Sequence, residues 1–585
     1  MAKKNRRSVK VLLGFLRTVR PYRWLIVLSV VLAVGSAVMT IFIPMILGDM
    51  TNIAVNSYPE IDWGAIMSRL WLAVGLFGGA AVLNYLQGFI LARVAAKYTK
   101  DLREKIIEKI GRLPIAYFDK HKFGDTLSIM TNDVDVIGGS LSQEITDVTL
   151  SFTTLIGVMV MMLIINVPLS LVSFVVVPLS VIIVVKITTH AQKYFLERQR
   201  LLGVLNGEIE EDYAGLTIIK SNSHEGASVA EFSEQNEALM RVTRKAQVLS
   251  TLSMPVTHIF TNLVYVVVSV MGGLLTIQGT ITIGALQAFV QYVGRFNRPI
   301  TEIAATTATI QSLIASSERV FAFLMEPEEE PDAEPALAIT DVRGEVEFHD
   351  VCFSYDGKTP IIRNFDVKVK PGTNVAIVGP TGAGKTTIIN LLMRFYEPTS
   401  GYITVDGVPI REMKRADVRA LFGMVLQDTW LFSGTVEDNL RYGRIHATHD
   451  EVVAAAKASN AHHVIEALPH AYKSEISEDS DNVSAGEKQL LTIARAMVAN
   501  PPMMILDEAT SNVDTRTEQL IQDSFEKLTA HRTSFVIAHR LSTIRNADLI
   551  LVMRDGQIVE SGNHTELLKL NGFYAELYNS QFAEN

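Results

Sequence analysis

The sequence predicts an α-helical transmembrane domain followed by an α/β domain, and three observations support this prediction. Hydrophobic residues make up 48% of the chain and charged residues only 20%, whereas soluble proteins have about 25% charged residues. Uncharged stretches long enough to cross a membrane all lie before residue 295. Beyond residue 340, short β-branched runs alternate with amphipathic helical stretches, which is typical of α/β folds.

Four uncharged stretches supply the predicted membrane spans, at residues 24–48, 70–92, 148–185 and 246–294. A helix needs about 20 apolar residues to cross the hydrocarbon core. Turn signals at Asn166–Val167–Pro168 and Gln278–Gly279–Thr280 divide each of the two longer stretches in two. We therefore expect an N-terminal elbow over residues 1–22 and six transmembrane helices within residues 23–322.

The charges that flank the first span predict its orientation. Residues 1–23 contain several Lys and Arg and no acidic residue. The segment from Asp49 to Ser68 contains Asp49, Glu60 and Asp62 and no Lys or Arg. Positive residues stay on the cytoplasmic side. The sequence therefore predicts a multi-pass membrane protein with a cytoplasmic N-terminus and a cytoplasmic second domain.

Two long polar connections, residues 93–147 and 186–245, separate the inner ends of the spans. Because Pro and Gly are sparse in them, they predict membrane helices that extend far into the cytosol as hairpins. Short interruptions at residues 113–119 and 211–215 would form the tips of these hairpins, where a second domain could make contact.

An acidic segment broken by prolines, residues 325–335, separates the two parts of the chain. Such a composition is typical of a linker. We place the linker at residues 323–340 and the second domain at residues 341–585.

The first functional motif of the second domain is a phosphate-binding loop. The strand Asn374–Val378 leads into Gly379–Thr386, which has the pattern GxxxxGK[ST], and a helix-like run follows. In this strand–loop–helix context the loop amides bind phosphates. Lys385 would reach the β- and γ-phosphates of ATP, and the Thr386 hydroxyl would bind Mg²⁺. The fold class is therefore a six-span α-helical membrane domain followed by an α/β P-loop nucleotide-binding domain.

A second motif supplies two adjacent carboxylates, Asp507 and Glu508, at the end of the apolar run Met503–Leu506. Side chains alternate at the end of a strand. Asp507 would therefore face the metal, directly or through water, and Glu508 would act as the general base that polarises the attacking water.

Two segments complete the set of motifs in the second domain, namely Val483–Gln489 (VSAGEKQ) and Ile505–Ser511 (ILDEATS). The first is similar to the signature LSGGQ of the ATP-binding cassette transporters. Over nearly its whole length the chain resembles the exporter half-transporters of that family, with six spans and one nucleotide-binding domain. The resemblance implies an ATPase coupled to transmembrane transport.

The resemblance also implies roles for individual residues. Tyr355 would stack on adenine, Gln427 would sense Mg²⁺ and the attacking water, and His539 would hold the γ-phosphate. Ser511 and Asp514 would belong to a loop that communicates between two ATP sites. The residues expected to contact the nucleotide are Tyr355, Gly379, Pro380, Thr381, Gly382, Ala383, Gly384, Lys385, Thr386 and Thr387. The metal would be held by Thr386, Gln427 and Asp507. The expected catalytic residues are Glu508, His539 and Gln427.

The signature implies a dimer. Ser484 and the amide of Gly486 begin a helix, whose N-terminus attracts anions. In this family that helix covers the γ-phosphate bound by the opposite subunit, so one chain completes neither of the two ATP sites.

The signature of this chain also departs from the family pattern. Val483, Ala485 and Glu487 replace Leu, Gly and Gln, and Ser477–Ser480 replaces the usual Gly-Glu-Arg-Gly. The chain resembles the partner that keeps the catalytic Glu in heterodimeric bacterial multidrug exporters. We therefore expect a second half-transporter chain with a consensus signature as partner, and a homodimer is the alternative.

The transported compound is the least defined part of the prediction. The apolar side chains of the spans suit hydrophobic or amphipathic compounds, either as a lining of the pathway or simply through helix packing (Met159, Met161, Met162, Phe174, Tyr265, Met271 and Tyr292). Arg295 and Arg298 would meet an anionic group or extend to the membrane interface. We expect export of drugs or lipids; a lipid flippase, a peptide exporter and a non-transporting regulatory subunit are the alternatives.

The net charge of −9 argues against a nucleic-acid partner, which would require a basic surface. The single cysteine, Cys352, excludes an intramolecular disulfide.

Overall fold

A computed structural model describes residues 18–427, 429–477, 482–507, 514–538 and 541–582. The described chain forms two compact units. One comprises the chain up to Gly111 together with Phe123–Glu326, and the other comprises Arg112–Lys122 together with the chain from Pro327 onward. The boundaries expected at residues 22, 322 and 340 remain predictions.

The first unit is entirely helical in its described part. Helices are numbered along the chain, and α3 (Ile115–Lys120) belongs to the second unit. The first unit begins with a 3₁₀ turn at Arg20–Tyr22 and contains a π-helical turn at Ile129–Asp133. Its helices are α1 (Arg23–Asn56), α2 (Trp63–Ile110), α4 (Phe123–Ser128), α5 (Val134–Ile165), α6 (Val167–Ala214), α7 (Leu216–Ser221), α8 (Glu225–Ile277) and α9 (Ile283–Leu324). The breaks after Ile110 and Ala214 confirm the interruptions predicted at the tips of the two polar hairpins.

Four of these helical stretches are long and apolar enough to cross a membrane, namely Arg20–Asn56, Trp63–Ile110, Phe123–Ile165 and Glu225–Ile277. The predicted fourth and sixth spans fall on α6 and α9. Within the described residues those two helices do not meet the same criterion, so the count of six remains a prediction. One physical reason lies in α9, whose apolar half carries Arg295, Arg298 and Glu302.

The helices of the first unit pack in two groups. Helix α1 packs on α2, α5 and α9, while α6 packs mainly along α8. All seven side chains that could have lined a pathway lie in or against one packed apolar cluster. Met161, Met162 and Tyr292 are buried in its centre. The structure therefore assigns these side chains to helix packing.

Helices α1 and α9 approach each other closely at two glycines, Gly48 and Gly284. A Cβ atom on Gly284 would lie 1.8 Å from the carbonyl oxygen of Gly48, and one on Gly48 would lie 2.3 Å from the carbonyl oxygen of Gly284. The Asn52 side chain reinforces this contact by accepting a hydrogen bond from the Gly284 amide at 2.7 Å. Small residues permit such contact between helix backbones.

The second unit is built around three sheets. Strands β1 (Val346–Phe353), β2 (Ile362–Val369), β4 (Ser400–Val405) and β5 (Val408–Pro409) form an antiparallel sheet of order β2–β1–β4–β5. The larger sheet has the order β12–β11–β3–β10–β9–β6, with β3 (Asn374–Val378), β6 (Phe422–Val425), β9 (Met503–Asp507), β10 (Thr533–Ile537), β11 (Leu549–Arg554) and β12 (Gln557–Gly562). Strands β7 (Gly434–Thr435) and β8 (Glu475–Ile476) form a small third sheet. The predicted α/β fold is thereby confirmed.

Helices surround these sheets. They are α10 (Lys385–Leu392), α11 (Arg415–Leu421), α12 (Val436–Arg441), α13 (His449–Ala458), α14 (His462–Ala467), α15 (Ala485–Ala499), α16 (Thr515–Thr529), α17 (Leu541–Arg545), α18 (His564–Lys569) and α19 (Phe573–Phe582), with 3₁₀ turns at Ile410–Glu412 and Ala471–Lys473. One apolar cluster fills the space between the two large sheets, and a second joins α12–α16 to the edge of the larger sheet.

The acidic linker is anchored to the second unit, which its composition did not predict. Asp332 accepts a hydrogen bond of 2.9 Å from the nearly buried Arg415, whose guanidinium also contacts the carbonyl oxygen of Glu330 at 2.6 Å. Glu329 lies 3.4 Å from Arg419. Basic side chains from a distant part of the sequence thus compensate the acids of the linker.

Candidate nucleotide-binding site

The loops with the predicted site residues follow the parallel strands of the larger sheet. Ile537 pairs with Ile377 on one side and with Asp507 on the other, and Leu506 pairs with Val425. The carboxyl ends of β3, β10, β9 and β6 therefore meet at one edge, where α/β sheets bind their ligands. The phosphate loop follows β3, Asp507 ends β9, and Gln427 follows β6 at an exposed position.

Two glycines shape the phosphate loop. Gly379 has φ 154° and Gly384 has φ 96°. A Cβ atom on Gly379 would lie 2.3 Å from the carbonyl oxygen of Met553, and one on Gly384 would lie 2.6 Å from Ile362 Cδ1. Only glycine fits both the conformation and the space. The loop closes with a hydrogen bond of 3.2 Å from the Ala383 amide to the Pro380 carbonyl, and Thr381 and Gly382 are exposed at its tip.

Lys385 begins helix α10 and is largely buried. Its Nζ atom donates hydrogen bonds to the carbonyl oxygens of Gly379, at 2.7 Å, and Pro380, at 3.1 Å. Burial lowers the pKa of Lys385, and the nearby Asp507 carboxylate acts in the opposite direction. The cation is therefore held inside the loop, where an anion would replace weak carbonyl partners with stronger ones.

Tyr355 lies just beyond strand β1 and is partly exposed. Its ring contacts Phe353 and Tyr396 edge-on, with centroids 4.8 Å and 5.0 Å away. Its hydroxyl lies 3.2 Å from that of Thr387 in α10, so the structure brings Tyr355 to the phosphate-loop helix.

The next residue, Asp356, fixes the loop that carries Tyr355. Its carboxylate accepts hydrogen bonds from the amides of Thr359, at 2.7 Å, and Lys358, at 2.8 Å, and from the Ser354 hydroxyl at 2.8 Å. These bonds hold the pKa of Asp356 far below the usual range of aspartate.

The three predicted metal ligands offer an exposed hydroxyl (Thr386), an exposed amide (Gln427) and a half-buried carboxylate (Asp507). Oxygen ligands of this kind suit Mg²⁺. Asp507 is also close enough to Lys385 to influence its pKa. The donor set therefore fits the metal, and the individual roles remain proposals.

The signature segment begins helix α15 as predicted. Ser484 is its N-cap, and Gly486 is buried in the first turn. The Glu487 carboxylate accepts hydrogen bonds from both the hydroxyl and the amide of Ser484, each at 2.8 Å. The Ser484 side chain in turn accepts a hydrogen bond from the Glu487 amide, so the two residues cap the helix reciprocally. This reciprocal cap was not predicted, although the spacing S-x-x-E indicates it.

Glu508, Ser511 and His539 lie outside the described residues, as do residues 478–481. Asp514 is described and caps helix α16 through the amides of Thr517 and Arg516. The amide of Thr517 is the main cause of the lowered pKa of Asp514. The role of Asp514 in communication between sites remains a prediction.

Comparison with known proteins agrees with the fold and with nucleotide binding by the second unit. Residues 26–300 match the family model of the ABC transporter transmembrane region, and residues 362–511 match the ABC transporter model. The chain belongs to the ABC transporters, which hydrolyse ATP to drive transport and work as dimers.

Individual relatives cover most of the chain. A fatty acid ABC transporter ATP-binding/permease protein of Mycobacterium bovis is 46% identical over 88% of this chain and 82% of its own length. An ATP-dependent lipid A-core flippase of Desulfotalea psychrophila is 36% identical over 87% of this chain and 89% of its own. The solved structure of a bacterial Atm1-family ABC exporter with ATP bound superposes with a TM-score of 0.76 at 29% identity and covers 96% of this chain and 99% of its own.

Proposed function

We propose that this chain is one half of an exporter that uses Mg²⁺–ATP hydrolysis to move hydrophobic or amphipathic compounds out across a bacterial plasma membrane. The observation that carries the proposal is the buried Lys385 inside the phosphate loop, within the electrostatic reach of Asp507, at the carboxyl edge of the larger sheet. The apolar helices of the first unit supply the membrane part.

The phosphate loop from Gly379 to Thr387 holds the triphosphate through its amides and Lys385, and Tyr355 stacks on adenine. Thr386, Gln427 and Asp507 hold Mg²⁺, which neutralises phosphate charge when bound. Glu508 polarises the attacking water as general base. His539 binds the γ-phosphate, whose three equatorial oxygens share negative charge in the transition state.

The working unit is a dimer in which Ser484 and Gly486 of one chain cover the nucleotide of the other. Exposed aromatic and apolar side chains support the proposal that the chain binds a partner subunit. Trp430, Tyr442 and Ile445 are exposed on the second unit, and Tyr213 and Ile218 are exposed at the tip of the second hairpin of the first unit. Large exposed apolar groups commonly mark interaction surfaces.

The two ATP sites differ if the partner is a second chain with a consensus signature. The Glu487 carboxylate on Ser484 supports this arrangement because it places a negative charge where the signature helix would receive a phosphate. The site that this signature closes is then the weaker one, and the site built from Lys385 and Asp507 is the hydrolytic one. A homodimer remains the alternative.

The exposed guanidinium of Arg298 in α9 supports an anionic amphipath, and therefore the lipid flippase, as a second candidate function. Arg298 binds Glu302 at 2.7 Å, and Glu302 accepts a hydrogen bond of 2.8 Å from the buried Ser151 of α5. The Arg298 side chain is 84% exposed. Because a charged group in lipid is costly, it faces water or a polar ligand. The names of two relatives contain fatty acid and lipid A-core, and both compounds are anionic amphipaths.

The proposal is tested with the full chain expressed alone in nanodiscs, by its oligomeric mass and its Mg²⁺-ATPase rate. A dimer whose activity disappears in Glu508→Gln supports a homodimeric exporter. A chain without activity that gains it when co-purified with a second half-transporter supports the heterodimer. A Glu508→Gln variant that hydrolyses ATP at the rate of the unchanged chain contradicts the assignment of the base.

A non-transporting regulatory subunit is separated from the exporter by transport itself. Proteoliposomes that hydrolyse ATP should accumulate oleate or the dye Hoechst 33342 only while ATP is present. Hydrolysis without ATP-dependent accumulation of either probe favours the regulatory or the peptide-exporting alternative.

A further inference from the structure

The segment Arg112–Lys122, which connects α2 to α4 in the sequence, belongs to the second unit. Its first carbonyl, of Arg112, accepts a hydrogen bond of 3.0 Å from the Glu329 amide of the linker. Near its other end, the Asp119 carboxylate accepts a hydrogen bond from the Tyr396 hydroxyl. The segment is therefore attached to the nucleotide-binding fold at both ends, and we call it the junction segment.

Tyr396 lies between the junction segment and the candidate nucleotide site. Its ring contacts Tyr355 edge-on, with centroids 5.0 Å apart and planes at 88°. It also contacts Phe353, with centroids 5.5 Å apart. Burial and the hydrogen bond to Asp119 raise the pKa of Tyr396, so its hydroxyl remains a donor.

Side-chain hydrogen bonds hold the residues on either side of Tyr396 in place. The buried Arg394 binds Glu397 at 2.7 Å and the carbonyl oxygen of Met413 at 2.7 Å. Because both flanks are fixed, a displacement of Tyr355 is taken up by the ring and hydroxyl of Tyr396. Edge-on ring contacts and hydrogen bonds both depend on orientation. A small rotation of one ring therefore alters the hydrogen bond to Asp119.

We infer that Tyr396 is a positioning residue that transmits occupancy of the adenine site from Tyr355 to Asp119 of the junction segment. The inference rests on the proposed function, because stacking of adenine on Tyr355 is part of it. It predicts that the base of the nucleotide, and not the phosphates alone, changes the environment of the junction segment. Ala116 is a suitable reporter, because it lines, with Tyr396 and Glu329, a cavity of about 240 Å³.

The single native cysteine makes the test direct. In full-length Cys352→Ser/Ala116→Cys protein in nanodiscs, the rate of reaction with a fluorescent maleimide is measured without ligand, with Mg²⁺–AMP-PNP and with Mg²⁺–tripolyphosphate. AMP-PNP should change the rate about fivefold, since a hydrogen bond to a charged group is strong enough for such a shift. Tripolyphosphate, which lacks adenine, should leave the rate near its ligand-free value.

Two further variants locate the effect at Tyr396. Adding Tyr396→Phe keeps the ring and removes the hydroxyl, and it should abolish the AMP-PNP effect. Tyr402→Phe, the same change on an exposed tyrosine of the same unit, should preserve it. The inference is overturned if tripolyphosphate acts like AMP-PNP, if neither changes the rate, or if Tyr396→Phe retains the adenine-specific change.

The ATPase rate of the reporter protein is measured in parallel. Absence of hydrolysis from the Cys352→Ser/Ala116→Cys protein and from the unchanged chain, both alone and co-purified with a second half-transporter, would contradict the proposed function. Hydrolysis without an adenine-specific labelling change would contradict only the role of Tyr396.

Discussion

The guanidinium of Arg295 in α9 donates a hydrogen bond of 2.8 Å to the carbonyl oxygen of Thr40 in α1. Pro44 lies four residues after Thr40, inside α1, and proline has no N–H to pair with that carbonyl. Arg295 therefore supplies the donor that the proline removes. The Tyr292 hydroxyl extends the contact by donating to the next carbonyl, of Ile41, at 2.7 Å. Of the two arginines in the apolar half of α9, Arg295 thus has a structural role.

This relationship predicts that Pro44→Ala rescues Arg295→Ala. The single variant Arg295→Ala leaves a backbone carbonyl unpaired in an apolar environment and should destabilise the first unit by about 1–3 kcal/mol. The backbone amide introduced by Pro44→Ala restores a partner to Thr40, so the double variant should recover most of the loss. Thermal unfolding in nanodiscs measures both effects. A double variant no more stable than Arg295→Ala would contradict the account.

Glu487→Gln should strengthen nucleotide binding at the site that this signature closes. The substitution keeps a cap for Ser484 and removes the negative charge near the expected phosphate, which should increase affinity about fivefold. Binding of a fluorescent ATP analogue to the nanodisc-embedded dimer measures the change. Glu566→Gln is the matched control, because Glu566 forms the same kind of cap with Asn563 at the start of α18. An unchanged or weaker affinity in Glu487→Gln would show that the carboxylate does not oppose the phosphate.

Asp356→Ala should raise the KM for ATP about threefold with little change in kcat, because it frees the backbone loop that positions Tyr355. The pKa of Asp356 is lowered, so its contribution is complete at neutral pH and is lost only as the pH falls below the usual range of aspartate. Steady-state ATPase kinetics check the effect. Asp366→Ala, which removes a weaker surface contact to the Asp350 amide, is the control. A change in kcat alone would place Asp356 in a different role.

Nucleotide affinity should fall as the pH rises, because burial lowers the pKa of Lys385 and the neutral amine binds phosphate poorly. Bound phosphate favours the protonated form, so binding should take up a proton at alkaline pH. Calorimetry in two buffers of different ionisation enthalpy, between about pH 7 and pH 10, measures this uptake. The uptake should vanish in Lys385→Met. Proton release, or an affinity independent of pH in the unchanged chain, would contradict this prediction.

Local patterns predicted much of the fold and the phosphate loop. The strand Asn374–Val378 and the glycines of the loop act over a few residues, and the structure places them as expected. The N-cap at Ser484 was predictable for the same reason. The order of the strands then brings Asp507 and Gln427 to the edge that carries the loop.

Contacts between distant residues were not predictable from one sequence. The acids of the linker suggested a solvated segment, yet Arg415 and Arg394, far along the chain, hold it in place. Asp119 and Tyr396 are likewise brought together only by folding. Composition also could not show that Arg295 would pair with a backbone carbonyl rather than with a ligand.

The most direct test of the central claim is the Mg²⁺-ATPase rate of the dimer in nanodiscs, compared with that of Lys385→Ala. Lys385 is the cation that the structure holds inside the phosphate loop. The account predicts ATP hydrolysis that depends on Mg²⁺ and falls at least about a hundredfold in Lys385→Ala. Hydrolysis at the same rate in both proteins would show that the nucleotide site around Lys385 does not power the transporter.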